Sequence, residues 1–157
     1  MEIRNATIDD VDALVELGEM MHAESPRFRA LTYDPVKVAG VALRLIYDPA
    51  AQVLVAEQDG QLIGMLAGMI VEHFFGPDCY ATDYVFYVHP AYRGTSAAPR
   101  LYREWLRILQ ADGRVKEVSL GISTEIHPER TRRFYERLGF RETGAIMVRR
   151  LVGDNHV

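Results

Sequence analysis

The sequence predicts an α/β domain of the α+β kind, in which a mixed, mostly antiparallel central sheet is flanked by about four helices. Three observations carry that expectation. Two apolar runs in VLVAEQDGQLIGMLAGMIV meet at Asp59-Gly60, a strong hairpin dipeptide, and read as adjacent antiparallel strands. Tyr80 to Val88, Pro99 to Ala111 and Val115 to Ser123 follow as strand, helix and strand, an order that returns the last element parallel to the first through a right-handed crossover. Ahead of the hairpin, two stretches repeat apolar residues at helical spacing.

Each element has a local cause. Ile3 to Ala6 makes a short first strand, and Thr7 with Asp10 three residues on forms a capping box that starts a helix. Val11, Leu14, Val15, Gly18 and Met21 share one face of that helix, with Asp12, Glu16 and Glu19 away from it. A second helix runs from Pro35, after Asp34, to Tyr47, before Asp48-Pro49. Gly64 and Gly68 read as small residues under a close-packed neighbour rather than a membrane dimerisation motif, because their apolar run is short. The crossover helix turns Leu101, Trp105, Ile108 and Leu109 inward and ends at Gly113. The last helix spans Pro128 to Leu138, with Thr131, Phe134, Tyr135 and Leu138 on one side and Gly139 as its cap. Phe140 to Val152 then returns as one or two strands, so that residues 1–152 form a single domain and 153–157 a loose tail.

Composition narrows the function classes. The 157 residues carry a net charge of -4 with 48% hydrophobic and 25% charged side chains, the balance of one globular domain. A nucleic-acid partner is not expected, since phosphate contact draws on an excess of Lys and Arg. Cys79 is the only cysteine, which rules out an internal disulfide and a thiolate metal cluster and points to a reducing cytoplasm. The first residues lack a basic region before an apolar run, and LIGMLAGMIV is too short to cross a bilayer, so neither secretion nor a membrane partner is expected. His22, His73 and His127 show no metal-ligand spacing, and no metal is expected.

Residues 88–101, VHPAYRGTSAAPRL, leave a strand through an Arg-Gly turn of tiny side chains and enter a helix. A helix start exposes unpaired N–H groups and the positive end of the peptide dipole. Gly94, Thr95, Ser96, Ala97 and Ala98 keep bulk away from those donors, and Pro99 is tolerated where the helix has no use for its N–H. The stretch reads as a phosphate cradle, although an ordinary strand-to-helix connection would carry similar residues. It has neither the Gly-Lys-Ser/Thr ending of a nucleoside-triphosphate loop nor the glycine pattern of a dinucleotide fold.

With IRNATIDD at the start, YVHPAYRGTSAAPRL in the middle and RRFYERLGF near the end, nearly the whole chain resembles the GNAT superfamily of acetyl-CoA-dependent N-acetyltransferases. That family's phosphate loop, Gln/Arg-x-x-Gly-x-Gly/Ala, falls on Arg93 to Ala98, with Ser96 in place of the usual glycine. The resemblance implies a splayed pair of parallel strands whose gap takes the pantetheine arm beside Phe86, Tyr87 and Val88. It implies acetyl-CoA as cosubstrate, with Arg93, Arg100 or Arg103 offered to its phosphates, and often a homodimer. A small-molecule or peptide amine would be the acceptor, held near Glu24, Arg27, Arg29, Tyr33, Asp34 and Phe75.

Direct transfer to an amine in a ternary complex needs a neutral nitrogen, and deprotonating a lysine-like amine at pH 7 costs about 4.6 kcal/mol. A positioned base offsets this. Asp83 on the strand before the loop, Glu125 after the fifth strand, and Glu72 or His73 at the end of the hairpin are the candidates. The resemblance places a tyrosine on the late helix as acid for the leaving thiolate, which matches Tyr135; as a residue beside Phe134 it also suits a core. An asparagine often stands seven positions earlier in the family, where this chain has Pro128. Cys79 and His89 read as structural. The alternative function is a non-catalytic acyl-CoA-binding sensor that keeps the cleft without turnover.

Overall fold

Asp59 and Gly60 take φ of 53° and 77°, the left-handed pair of a two-residue turn whose twist matches the strands it joins. They connect β2 (Ala51–Gln58) to β3 (Gln61–Glu72) at the centre of the fold. In this computed structural model, which describes residues 1–151, β1 (Glu2–Asn5) pairs with β2, and β3 pairs with β4 (Cys79–Val88), all antiparallel. β5 (Val115–Ser119) joins β4 in parallel, giving the mixed sheet β1-β2-β3-β4-β5. Val152 and the tail expected over 153–157 lie outside the described residues.

The helices cover both faces. α1 (Val11–Glu24) and α2 (Pro35–Tyr47) put Leu14, Leu17 and Leu45 on Val53, Val55, Met65 and Ala67. α3 (Ala97–Ala111) and α4 (Pro128–Arg137) put Leu101, Trp105 and Tyr135 on Leu54, Leu66 and Ala81. Alternation along β2 explains the division, because successive side chains point to opposite faces. The small residues of β3 have the close neighbours anticipated for them. A Cβ on Gly68 would lie 2.2 Å from the Trp105 ring, and one on Gly64 would meet Leu101 at 3.4 Å. α3 therefore sits directly on the sheet, and the loop before it is fixed in height.

The start of the chain is held by charge. Asp10 is buried, accepts the Thr7 amide at 2.7 Å and pairs with Arg4 at 2.7 Å. The Arg4 hydrogen bonds lower its carboxyl from 3.8 to about 2, against the opposing effect of burial. A short 3-10 turn over Ile8–Asp10 precedes the regular helix.

Two elements differ from expectation. β5 stops at Ser119 instead of Ser123, because its only partner among the described residues, β4, has parted from it by then. The one or two strands expected over Phe140 to Val152 do not form within the described residues. Residues 141–150 are exposed, Met147 the most of their large apolar side chains, and Ile146 packs against the region of Gly121. Strand propensity needs a neighbouring edge to bond, and a β5 of five residues leaves little edge to join.

Two measurements check this packing. Gly68→Ala is expected to lower stability in urea unfolding by about 1–3 kcal/mol through overpacking against Trp105. Gly40→Ala, in the open interior of α2 with nothing within 4 Å of the added Cβ, should raise stability by about 0.5–1 kcal/mol. For Asp10, whose folded carboxyl lies below its ordinary value, the stabilisation is complete above the unfolded pKa and is lost as pH falls through the folded one. Asp10→Asn should therefore cost on the order of 2 kcal/mol at neutral pH, with the gap from the parent protein closing between about pH 4 and pH 2.

Candidate active site

The parallel pair opens into a fork. Its ladder runs from Cys79 opposite Val115 to Thr82 opposite Ser119 and then ends, although β4 continues to Val88. At the same level β4 carries one extra residue, Tyr84, because Gly68 pairs with Asp83 while the preceding Ala67 pairs with Val85. Such a bulge bends a strand and re-aims its side chains. Asp83 thus sits in the crotch of the fork, where its carboxylate accepts the Gly121 amide at 3.2 Å. Burial pushes the Asp83 carboxyl up, and that amide partly offsets it.

A cavity of about 510 Å³ occupies the fork and is walled by Asp83, Phe86, Val88, Gly94, Gly121 and Tyr135 among others. At one end lies the loop into α3. Gly94 turns it with φ of 87°, a conformation that glycine adopts at no steric cost. Ser96 has φ of -79°, so a serine fits there without strain. The Ala97 amide is taken by Thr95 Oγ1 at 3.3 Å, whereas the amides of Gly94, Ser96 and Ala98 meet no acceptor among the described residues. Bare amides at a helix start suit an anion such as a diphosphate. Arg130, on α4, lies 3.6 Å from where a Gly94 Cβ would stand. Sequence reasoning did not single it out, since α4 carries several arginines of similar spacing.

The Arg93 side chain is committed elsewhere. Its guanidinium pairs with Glu24 at the end of α1 at 2.5 and 2.6 Å, bonds the Val88 carbonyl at 3.0 Å and lies over the Tyr87 ring. Tyr87 donates its hydroxyl to the same carboxylate at 3.0 Å. The Arg93 bonds hold Glu24 below the ordinary carboxylate range, while burial and Glu24 together push the Tyr87 phenol up to about 12. Arg93 therefore contributes its backbone to the loop and its charge to a clamp between α1 and the end of β4. Arg100 gives its guanidinium to the Met1 carbonyl at 2.8 Å, and Arg103 is exposed.

Another part of the cavity wall is aromatic. Tyr135 is nearly buried, and its hydroxyl meets that of Tyr102 at 2.8 Å. Burial, then the Asp83 charge, push the Tyr135 phenol up. Tyr102 on α3 was missed in the sequence, where its place between Leu101 and Trp105 marks only an inward face. Glu125 is exposed on a left-handed turn, φ 60°, outside the cavity wall. Glu72 and His73 lie at the far end of β3, with His73 stacked on Phe75. His89 caps a short turn by accepting the Ala91 amide.

Several residues expected to hold an acceptor are engaged with the main chain instead. Arg27 bonds the Ser123 carbonyl at 3.1 Å, Tyr33 bonds the Val15 carbonyl at 2.7 Å, and Asp34 caps α2. Buried Ser25 adds a hydroxyl bond to the Thr124 carbonyl. No group of three or more His, Cys, Asp or Glu able to hold a metal occurs among the described residues, and none of their helices is long and apolar enough to cross a membrane.

Comparison with known proteins agrees with this geometry. A family model described as an acetyltransferase (GNAT) domain matches residues 49–142. An acetyltransferase from Trypanosoma brucei is 26% identical, with 96% of this chain and 99% of that one covered at a TM-score of 0.72. An aminoglycoside antibiotic 6'-N-acetyltransferase from Acinetobacter haemolyticus shares 19% identity over 98% of this chain and 100% of its own, at a TM-score of 0.75. A ribosomal-protein-alanine N-acetyltransferase from Brucella melitensis shares 22% identity over 96% and 100%, at 0.70. No curated protein matches the chain.

The clamp gives a direct check. Glu24→Gln leaves the half-buried Arg93 without its countercharge and is expected to cost about 1–2 kcal/mol in thermal or urea unfolding. In the same variant the Tyr87 phenol should titrate below its parent value of about 12, read from phenolate absorbance, because a carboxylate that raises it has gone.

Proposed function

The chain belongs to the GNAT acetyltransferase family, and from that premise we propose that it moves an acetyl group from acetyl-CoA to a primary amine of a small molecule or peptide, by direct transfer in a ternary complex in the cytoplasm. The observation that carries this reading is the fork itself. One cavity joins the Gly94 and Ala98 amides, unpaired among the described residues, to a buried tyrosine and a carboxylate of raised basicity.

Bound acetyl-CoA would supply the activated acyl group as a thioester. The Gly94, Ser96 and Ala98 amides, with the Arg130 guanidinium beside them, would hold its diphosphate. The main-chain edge of Phe86, Tyr87 and Val88, apart from the Val88 carbonyl that Arg93 holds, would bond the pantetheine arm as a neighbouring strand would. Asp83 is the base of this reading: burial raises its affinity for a proton, and the Gly121 amide orients it. Tyr135 is the acid. Its raised pKa keeps it protonated throughout the working range.

Two observations favour the second reading, a non-catalytic acyl-CoA sensor: the Asp83 carboxylate already holds the Gly121 amide, and Glu125 stands outside the cavity. Measuring free coenzyme A across a panel of amines separates the two. An enzyme is expected to release it with at least one amine, and Tyr135→Phe should slow that release by about 10²-fold at saturating amine with the KM for acetyl-CoA nearly unchanged. Calorimetric binding of acetyl-CoA without release for any amine would establish the sensor, and absence of binding would remove both readings.

A further inference from the structure

The Tyr102 side chain is completely buried, and its hydroxyl has one hydrogen-bond partner among the described residues, the Tyr135 hydroxyl at 2.8 Å. Around it stand rings. The rings of Phe86, Trp105 and Phe134 lie T-shaped to the Tyr102 ring at centroid separations of 4.7, 6.1 and 5.5 Å, and none carries an acceptor of ordinary strength. Tyr135 differs in one respect, since it lines the cavity as well as the core.

Two hydroxyls in contact share one hydrogen bond, and its direction has consequences. If Tyr135 donated to Tyr102, the Tyr102 proton would be left in the core with nothing to accept it. If Tyr102 donates to Tyr135, both protons are placed: one in the shared bond, the other free to point into the cavity. An unmet buried donor costs enough to favour the second arrangement by roughly five-fold or more. Asp83 is the charged group whose field reaches both phenols, and together with burial, the larger effect, it keeps both protonated.

We propose that Tyr102 is a positioning residue: by giving its proton to the Tyr135 oxygen, it aims the Tyr135 O–H into the cavity and fixes Tyr135 as a donor. The assignment rests on the reading of Tyr135 as the acid facing the sulfur of coenzyme A. The accepted bond also strengthens Tyr135 as a donor, because hydrogen bonds in a chain polarise one another.

Free coenzyme A is the probe, and the thiolate absorbance of its complex, followed against pH, reports the pKa of the bound thiol. Tyr135→Phe should raise that pKa by about one unit, a tenfold loss of thiolate. Tyr102→Phe should raise it by about half a unit, roughly a three-fold loss, with affinity for the protonated thiol and the melting temperature nearly unchanged. Fluorotyrosine incorporated at position 102 keeps the shape of the side chain while making it a stronger donor, and should move the pKa the opposite way. A response to Tyr135→Phe with none to either change at position 102 overturns the role of Tyr102 and leaves that of Tyr135 standing. No response to Tyr135→Phe overturns the reading on which both rest.

Discussion

Backbone amides and carbonyls along a strand need partners, and two parallel strands that part midway leave a row of them facing a gap. That constraint governs this protein. β4 and β5 separate after Thr82 and Ser119, and the part of β4 beyond the separation has its bonding neighbour, β3, on one side only. The crotch is closed by a side chain standing in for a strand, since Asp83 takes the Gly121 amide. An extended polar chain that enters the gap meets groups already disposed to bond it.

The gap persists because both faces of the sheet are braced independently of it. On one face Trp105 is set against Gly68 so closely that a methyl group would not fit, which fixes α3 and the loop that leads into it. On the other, Glu24 at the end of α1 holds Arg93, and Arg93 in turn holds the Val88 carbonyl where β4 ends. A charged pair that is partly shielded from water keeps its direction better than an exposed one. The loop amides are consequently presented at a set height and angle, and an anion would find them without first ordering the chain.

Elements whose cause is local were legible in the sequence. The Asp59-Gly60 turn, the Pro35 start of α2, the run of small residues from Gly94 and the amphipathic faces of α1 and α3 each depend on a few consecutive residues, and the structure has them at the stated places. β5 and the segment after Phe140 were over-extended in the reading because apolar, β-branched residues signal a strand without revealing whether an edge will be there to pair with.

The site divides along the same line. Residue order alone pointed to a cradle, since small side chains before a helix start act through their own backbone, and it nominated Asp83 and Tyr135 by type and position. It could not show that Arg93 would turn away to Glu24, 69 residues earlier in the chain, or that Tyr102 would meet Tyr135 across a separation of 33. Nor could it place Glu125 outside the cavity. Those outcomes depend on which helix faces meet over the sheet and where two strands part, and such distances come into being when the whole chain packs.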